Sequence, residues 1–131
     1  MKIIHYDEVE LEPVTVEGAE KAQIRWLIAQ KDGAPTFAMR MFEIEPGGHT
    51  PYHKHNWEHE VYCLSGKGAL VTERGEMAFG ADDAIFVDPD IIHSFKNTGN
   101  ETLKFLCLIP HEKPVIKKAL NTFADEEANN C

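Results

Sequence analysis

Long apolar runs are missing from this chain. The longest, such as FLCLIP at residues 105–110, fall far short of the ~20 residues that a membrane-spanning helix needs. Cations are also scarce, with 13 Lys and Arg against 22 Asp and Glu and a formal net charge of -9 at pH 7. Nucleic acids and anionic membranes recruit clustered lysine and arginine, so neither is expected as a partner. Cysteine is sparse and odd in number. Cys63, Cys107 and Cys131 lack the paired spacing of a zinc finger, and the first two lie in apolar strand-like runs, so buried free thiols are expected rather than a disulfide scaffold. The opening MKIIHYDEVELEP mixes charges into its apolar residues and carries no signal-peptide core, which points to the cytoplasm.

What the chain has in quantity is short strands. Alternating or β-branched and aromatic runs recur about every ten residues: IRWLIAQ, TFAMRMFEIE, HEVYCLSG, ALVTERG, AIFVD, HSFKN and TLKFLCLI. Turn signals separate them, among them Asp32-Gly33, Pro46-Gly47-Gly48, Ser65-Gly66, Arg74-Gly75-Glu76 and Gly80-Ala81-Asp82. Regular short strands of this kind argue for an all-β sandwich or barrel and against alternating strands and helices. Only residues 114–128 read as helix, through Val115, Ala119, Leu120 and Phe123, and their acidic end reads as a solvated terminus. At 131 residues one domain is expected, without linker or repeat. Its barrel core spans about 26–110, residues 1–25 add an N-terminal strand extension, and 111–131 form a C-terminal helical tail.

Four histidines carry the functional signal. His53 and His55 form an H-x-H pair, and alternate side chains of an extended strand share a face about 7 Å apart. Gly47-Gly48 is expected to reverse the chain ahead of that pair. A bend at Asn56 would return His59 on a facing strand that ends at Gly66, and His93 would follow a turn at Asp88-Pro89-Asp90, where Asp90 tolerates left-handed backbone. Imidazole is the commonest metal ligand, so the spacing suits convergence on one ion. Glu60, beside His59, is the competing ligand. Parity selects His59, which shares a face with Val61 and Cys63, whereas Glu60 shares one with Tyr62; a bulge near Asn56 or Trp57 would reverse the choice.

These residues resemble the two motifs of the cupin family. Gly47, His53, His55 and Gly66 match the first, with His59 where a glutamate usually stands; Gly80, His93 and Asn97 match the second, with Asp88-Pro89-Asp90 replacing its usual Pro-x-Gly. The resemblance runs from about residue 26 to 110. The strings FAMRMFEIEPGG, WEHE and FLCLIP are similar to small single-domain cupins of thermophilic bacteria with four histidine ligands. It implies a double-stranded β-helix, or jelly-roll barrel, in a homodimer, with manganese or iron held by His53, His55, His59 and His93. Ligand chemistry alone leaves zinc, nickel and copper open.

Four neutral imidazoles leave a divalent ion formally +2, which favours an anionic or oxygen-donor small molecule. Octahedral coordination leaves two positions free, unlike a closed structural zinc site. The leading expectation is a metal-dependent oxidoreductase of dioxygenase type. A non-enzymatic metal- and anion-binding module, and a Lewis-acid isomerase or lyase, are the alternatives. Phe95, Phe105, Cys63 and Cys107 are each expected in the core, with pocket lining as the alternative; a Cys107 beside an oxygen-handling metal would be open to oxidation. Arg40, in an apolar run, either reaches solvent, the expected placement, or sits inside against an acid or an anionic ligand. Trp26 and Trp57 pack a core, a rim or a dimer contact. The N-terminal segment could add a strand to a partner's sheet edge.

Overall fold

Alternation sets the architecture. In β4 (His59–Ser65) buried and exposed residues alternate without a break as far as Leu64, and in β9 (Leu103–Pro110) every second residue is buried. The structure, a computed structural model, describes residues 1–111. The remaining strands are β1 (Glu12–Pro13), β2 (Glu20–Ile28), β3 (Phe37–His49), β5 (Lys67–Thr72), β6 (Gly75–Gly80), β7 (Ala84–Val87) and β8 (His93–Asn97). All pair antiparallel, in the order β6-β5-β8-β3-β9-β4-β7, with β2 on β3 and β1 on β2. The non-sequential neighbours curl the sheet into the expected jelly-roll barrel. The helix expected at 114–128 and the thiol of Cys131 lie outside the described residues.

Inward residues close the barrel. Phe42 stacks on Phe105 at 5.3 Å between ring centroids, and Phe105 meets Phe95 at 5.0 Å. Ile24, Ile44 and Leu103 complete this fully buried centre. Each such side chain contributes about 2–3 kcal/mol by leaving water. Asn97 ties the far end of β8 down: its amide donates to the carbonyls of Ile44 and Glu101, both at 2.8 Å, and its oxygen accepts from the Gly99 amide.

Local detail departs from the sequence reading in two places. Gly47 and Gly48 lie inside β3 rather than in a reversing loop. Gly47 takes a φ of 82°, and a Cβ on Gly48 would stand 2.7 Å from the Glu20 carbonyl, so glycine is needed where β2 and β3 shift register. The turn read at Arg74-Gly75-Glu76 falls at Glu73 and Arg74, and from Gly75 the chain continues as β6, a strand outside the sequence reading, because Met77 and Ala78 pair with Leu70 and Ala69. β1 and the first residues of β2, which begins at Glu20, fall within the stretch read as an N-terminal strand extension. Asp90, at a φ of 66°, adopts the expected left-handed corner.

Candidate metal centre

The chain between β3 and β4 crosses the barrel mouth as a loop pinned to β8. Thr50 is fully buried: its amide donates to the Phe95 carbonyl at 2.9 Å, its hydroxyl accepts from the Phe95 amide at 2.9 Å, and its carbonyl accepts from the Ser94 hydroxyl at 2.7 Å. His53 and His93 then exchange backbone hydrogen bonds of 3.0 and 2.8 Å. The H-x-H pair therefore does not sit in a strand; a single bridge to His93 holds it. The Asp90 amide donates to the His55 carbonyl at 2.8 Å, which draws the Asp88-Pro89-Asp90 turn against the same loop.

Two of the rings are locked by carbonyls. His55 Nδ1 lies 2.8 Å from the Trp57 carbonyl and His93 Nδ1 lies 2.7 Å from that of Ile91. A carbonyl only accepts, so each Nδ1 carries the proton and each Nε2 presents a lone pair. His55 also stacks on the buried Trp57 ring, with centroids 4.1 Å apart and planes within 9°. Among the described residues, His53, His55 and His93 each bring one ring nitrogen within 4.8 Å of the others. An ion bonded at ~2.1 Å holds its nitrogens no more than about 4.2 Å apart. The cluster is close to that limit and consists of imidazole donors, so the three residues fit a divalent metal. His53 is only half-buried, whereas His55 and His93 are buried.

His59 lies beside this triad. Its Nε2 is 2.8 Å from His55 Nε2, and its ring centroid is 5.1 Å from that of His93. Since the His55 proton is committed to Trp57, the proton between the two Nε2 atoms belongs to His59. His59 Nδ1 faces Cys107 Sγ at 3.2 Å, and Arg40 Nη2 donates to the same sulfur at 3.1 Å. Glu60 points to the outer face, where it lines a groove with Tyr62, Phe86 and Leu108. Partial desolvation, a hydrogen bond with Glu60, and the charges of Glu60 and Asp88 raise the exposed Glu58 carboxyl above its ordinary value.

Arg40 corrects its expected placement. It is completely buried, with its guanidinium 5.1 Å from the Phe42 ring centroid and 5.5 Å from that of Trp26. Its parity in β3 is inward, where aromatic faces and sulfur receive the cation. Phe95 stands 6.1 Å from the His93 ring and 6.5 Å from that of His59, which makes it a wall of the site. Phe105 lies one layer deeper, behind Phe95. Cys63 is at the other end of β4, directed at the carbonyls of Ser65 and Lys104, and burial pushes its thiol above the ordinary value. The Arg40–Cys107–His59 chain had no signal in the sequence beyond the shared inward parity of its members.

The "Cupin domain" family profile matches residues 40–109, a stretch that holds His53, His55, His59 and His93. A 1-methylthio-D-xylulose 5-phosphate methylsulfurylase of Rhodospirillum rubrum is 33% identical over 90 residues, which is 69% of this chain and 56% of that protein. An oxalate-binding protein of Thermotoga maritima is 37% identical over 68 residues, 51% of this chain and 56% of the other. The chain thus spans about half the length of these curated relatives. The polyketide cyclase RemF from Streptomyces resistomycificus superimposes with a TM-score of 0.82 at 38% identity, over 88% of this chain and 82% of that one. Fold, histidine arrangement and family match agree, and the chain belongs to the cupin family.

Proposed function

We propose that this protein is a metal-dependent enzyme that takes a small, oxygen-rich anionic molecule at the histidine centre and acts on it by Lewis-acid chemistry at an enolisable carbonyl, as a cyclase, isomerase or lyase. The observation that carries this reading is the donor set: His53, His55 and His93 converge as imidazoles with no carboxylate in the group. Neutral ligands leave the charge of a divalent ion uncompensated, and an anionic oxygen donor is the natural complement. His59 is the fourth ligand in this reading, and manganese or iron the metal, with zinc, nickel or copper as alternatives. A bound metal supplies polarisation of a substrate oxygen.

The residues of the chain do the rest. His55 and His93 keep their lone pairs aimed at the centre through the carbonyls of Trp57 and Ile91. Trp57 and Phe95 keep water away from the buried side, and the half-buried His53 marks where a ligand enters. Arg40 adds a fixed positive charge behind Cys107 and His59. The relatives support the substrate class by name: oxalate is a dianion, a xylulose 5-phosphate carries a phosphate, and a polyketide is rich in carbonyls.

An oxidoreductase of dioxygenase type is the second reading. It is favoured by an all-nitrogen donor set that accepts the redox metals iron and copper. A homodimer in the cytoplasm is the proposed assembly and location. The test starts with elemental analysis of protein purified without added metal, alongside His55→Ala and His93→Ala, which are expected to lose the ion. Loaded protein is then given small diketones and keto acids in deuterated buffer. Metal-dependent exchange of hydrogen next to the carbonyl, without oxygen consumption, is the expected result. Oxygen consumption without exchange favours the oxidoreductase, and neither activity in a metal-bound protein reduces it to a binding module.

A further inference from the structure

Among the described residues, Cys107 links a buried cation to the histidine centre. Its sulfur lies 3.1 Å from Arg40 Nη2 and 3.2 Å from His59 Nδ1, and all three residues are completely buried. The three sit on neighbouring strands with Arg40 and Cys107 directly opposite in register and Val61, two residues from His59, opposite Cys107 in turn. Arginine is donor only, so the guanidinium fixes the sulfur as an acceptor on that side. The other side of the sulfur meets an imidazole that needs opposite things in two states. Beside a bare His55 Nε2, His59 carries its proton on Nε2 and its Nδ1 must accept. As a metal ligand, His59 would present a bare Nε2 and its Nδ1 would have to donate.

A thiol serves both states, because S–H is a weak donor and sulfur a weak acceptor. A backbone carbonyl, the partner of His55 and His93, serves only one. We propose that Cys107 is the positioning residue of His59, which lets this ring exchange tautomers and become a ligand while keeping a partner at Nδ1. Its neutral thiol donates to Nδ1 without metal and accepts from Nδ1–H with metal. His55 and His93 are permanently ready ligands, and His59 is the ligand that joins on loading.

This inference rests on the metal reading above, and the experiment separates the two. Nitrogen-15 spectra of the histidine side chains are recorded for the full chain without metal and after titration with zinc, in wild type, Cys107→Ser and Cys107→Ala. In the wild type the His59 proton is expected on Nε2 without metal and on Nδ1 with zinc, while His55 and His93 stay Nδ1-protonated throughout. Serine both donates and accepts, so Cys107→Ser is expected to keep the tautomer exchange and bind zinc within about threefold of wild type. Cys107→Ala is expected to weaken zinc binding about 10- to 100-fold, the usual range for losing a ligand's hydrogen-bond partner. Zinc held by His53, His55 and His93 with His59 still protonated on Nε2 overturns the inference and leaves the metal reading standing. Unchanged affinity and tautomer in Cys107→Ala overturns it likewise. Absence of zinc from the wild-type centre sinks both, and the wild-type spectra decide the matter even if a variant does not fold.

Discussion

Replacing Thr50 by valine isolates the hydroxyl that ties the metal loop to β8. Valine has nearly the same shape, so the buried site keeps its volume and no cavity forms. What is lost is the acceptor of the Phe95 amide, 2.9 Å away in a fully buried position. A buried donor deprived of its partner costs about 1–3 kcal/mol, and at about 2 kcal/mol the folding equilibrium falls roughly 30-fold. Thr50→Ser is the control, since it keeps the hydroxyl and gives up one methyl group, worth about 0.8 kcal/mol. Urea unfolding followed by fluorescence of the two tryptophans reads both variants. With a slope of about 1–3 kcal/mol per molar, the valine midpoint is expected about 1 M below wild type, and the serine midpoint less than half as far. The contrast is sharp because packing alone predicts the reverse order. If Thr50→Val proves as stable as Thr50→Ser, the hydroxyl does not clasp β8, and the account of how His53 and His55 are positioned fails with it.

Further outcomes follow from other parts of the molecule. Gly48→Ala places a Cβ 2.7 Å from the Glu20 carbonyl and 2.9 Å from the Ile44 side chain, so it is expected to lower stability by about 1–3 kcal/mol; a thermal midpoint equal to wild type would contradict that contact. Glu58→Gln is expected to raise stability at neutral pH. A carboxyl held above its ordinary value favours the protonated form in the folded state, so the ionised side chain is a penalty that is fully present above the raised value and disappears below the ordinary one. The gain from glutamine is therefore expected to shrink as the pH falls through that window, and a gain that persists unchanged at pH 3 would show another cause.

Periodicity and punctuation made most of the barrel legible. Strict alternation in HEVYCLSG and TLKFLCLI specifies which face of β4 and β9 is inward, and with it the inward direction of His59, Cys63, Phe105 and Cys107. The same parity directs Glu60 outward. β6 was illegible because its exposed face and single buried Phe79 carry almost no apolar pattern; pairing with β5 creates the strand. The glycines of β3 are illegible for a related reason. Composition marks them as a turn, while the need for glycine comes from the carbonyl of Glu20, supplied by a strand distant in sequence.

Sequence by itself determined the all-β class, the H-x-H pair with His93 as candidate ligands and the absence of any long apolar span, because these depend on residue type and spacing along the chain. Tertiary structure alone decided the rest of the site. It placed the H-x-H pair in a loop, assigned carbonyl partners to His55 and His93, and turned Arg40 inward against Trp26 and Phe42. Each of those facts depends on which groups from separate strands come within hydrogen-bonding distance. Arg40 and Cys107 lie 67 positions apart along the chain and 3.1 Å apart in space, and no pattern along the sequence encodes that meeting.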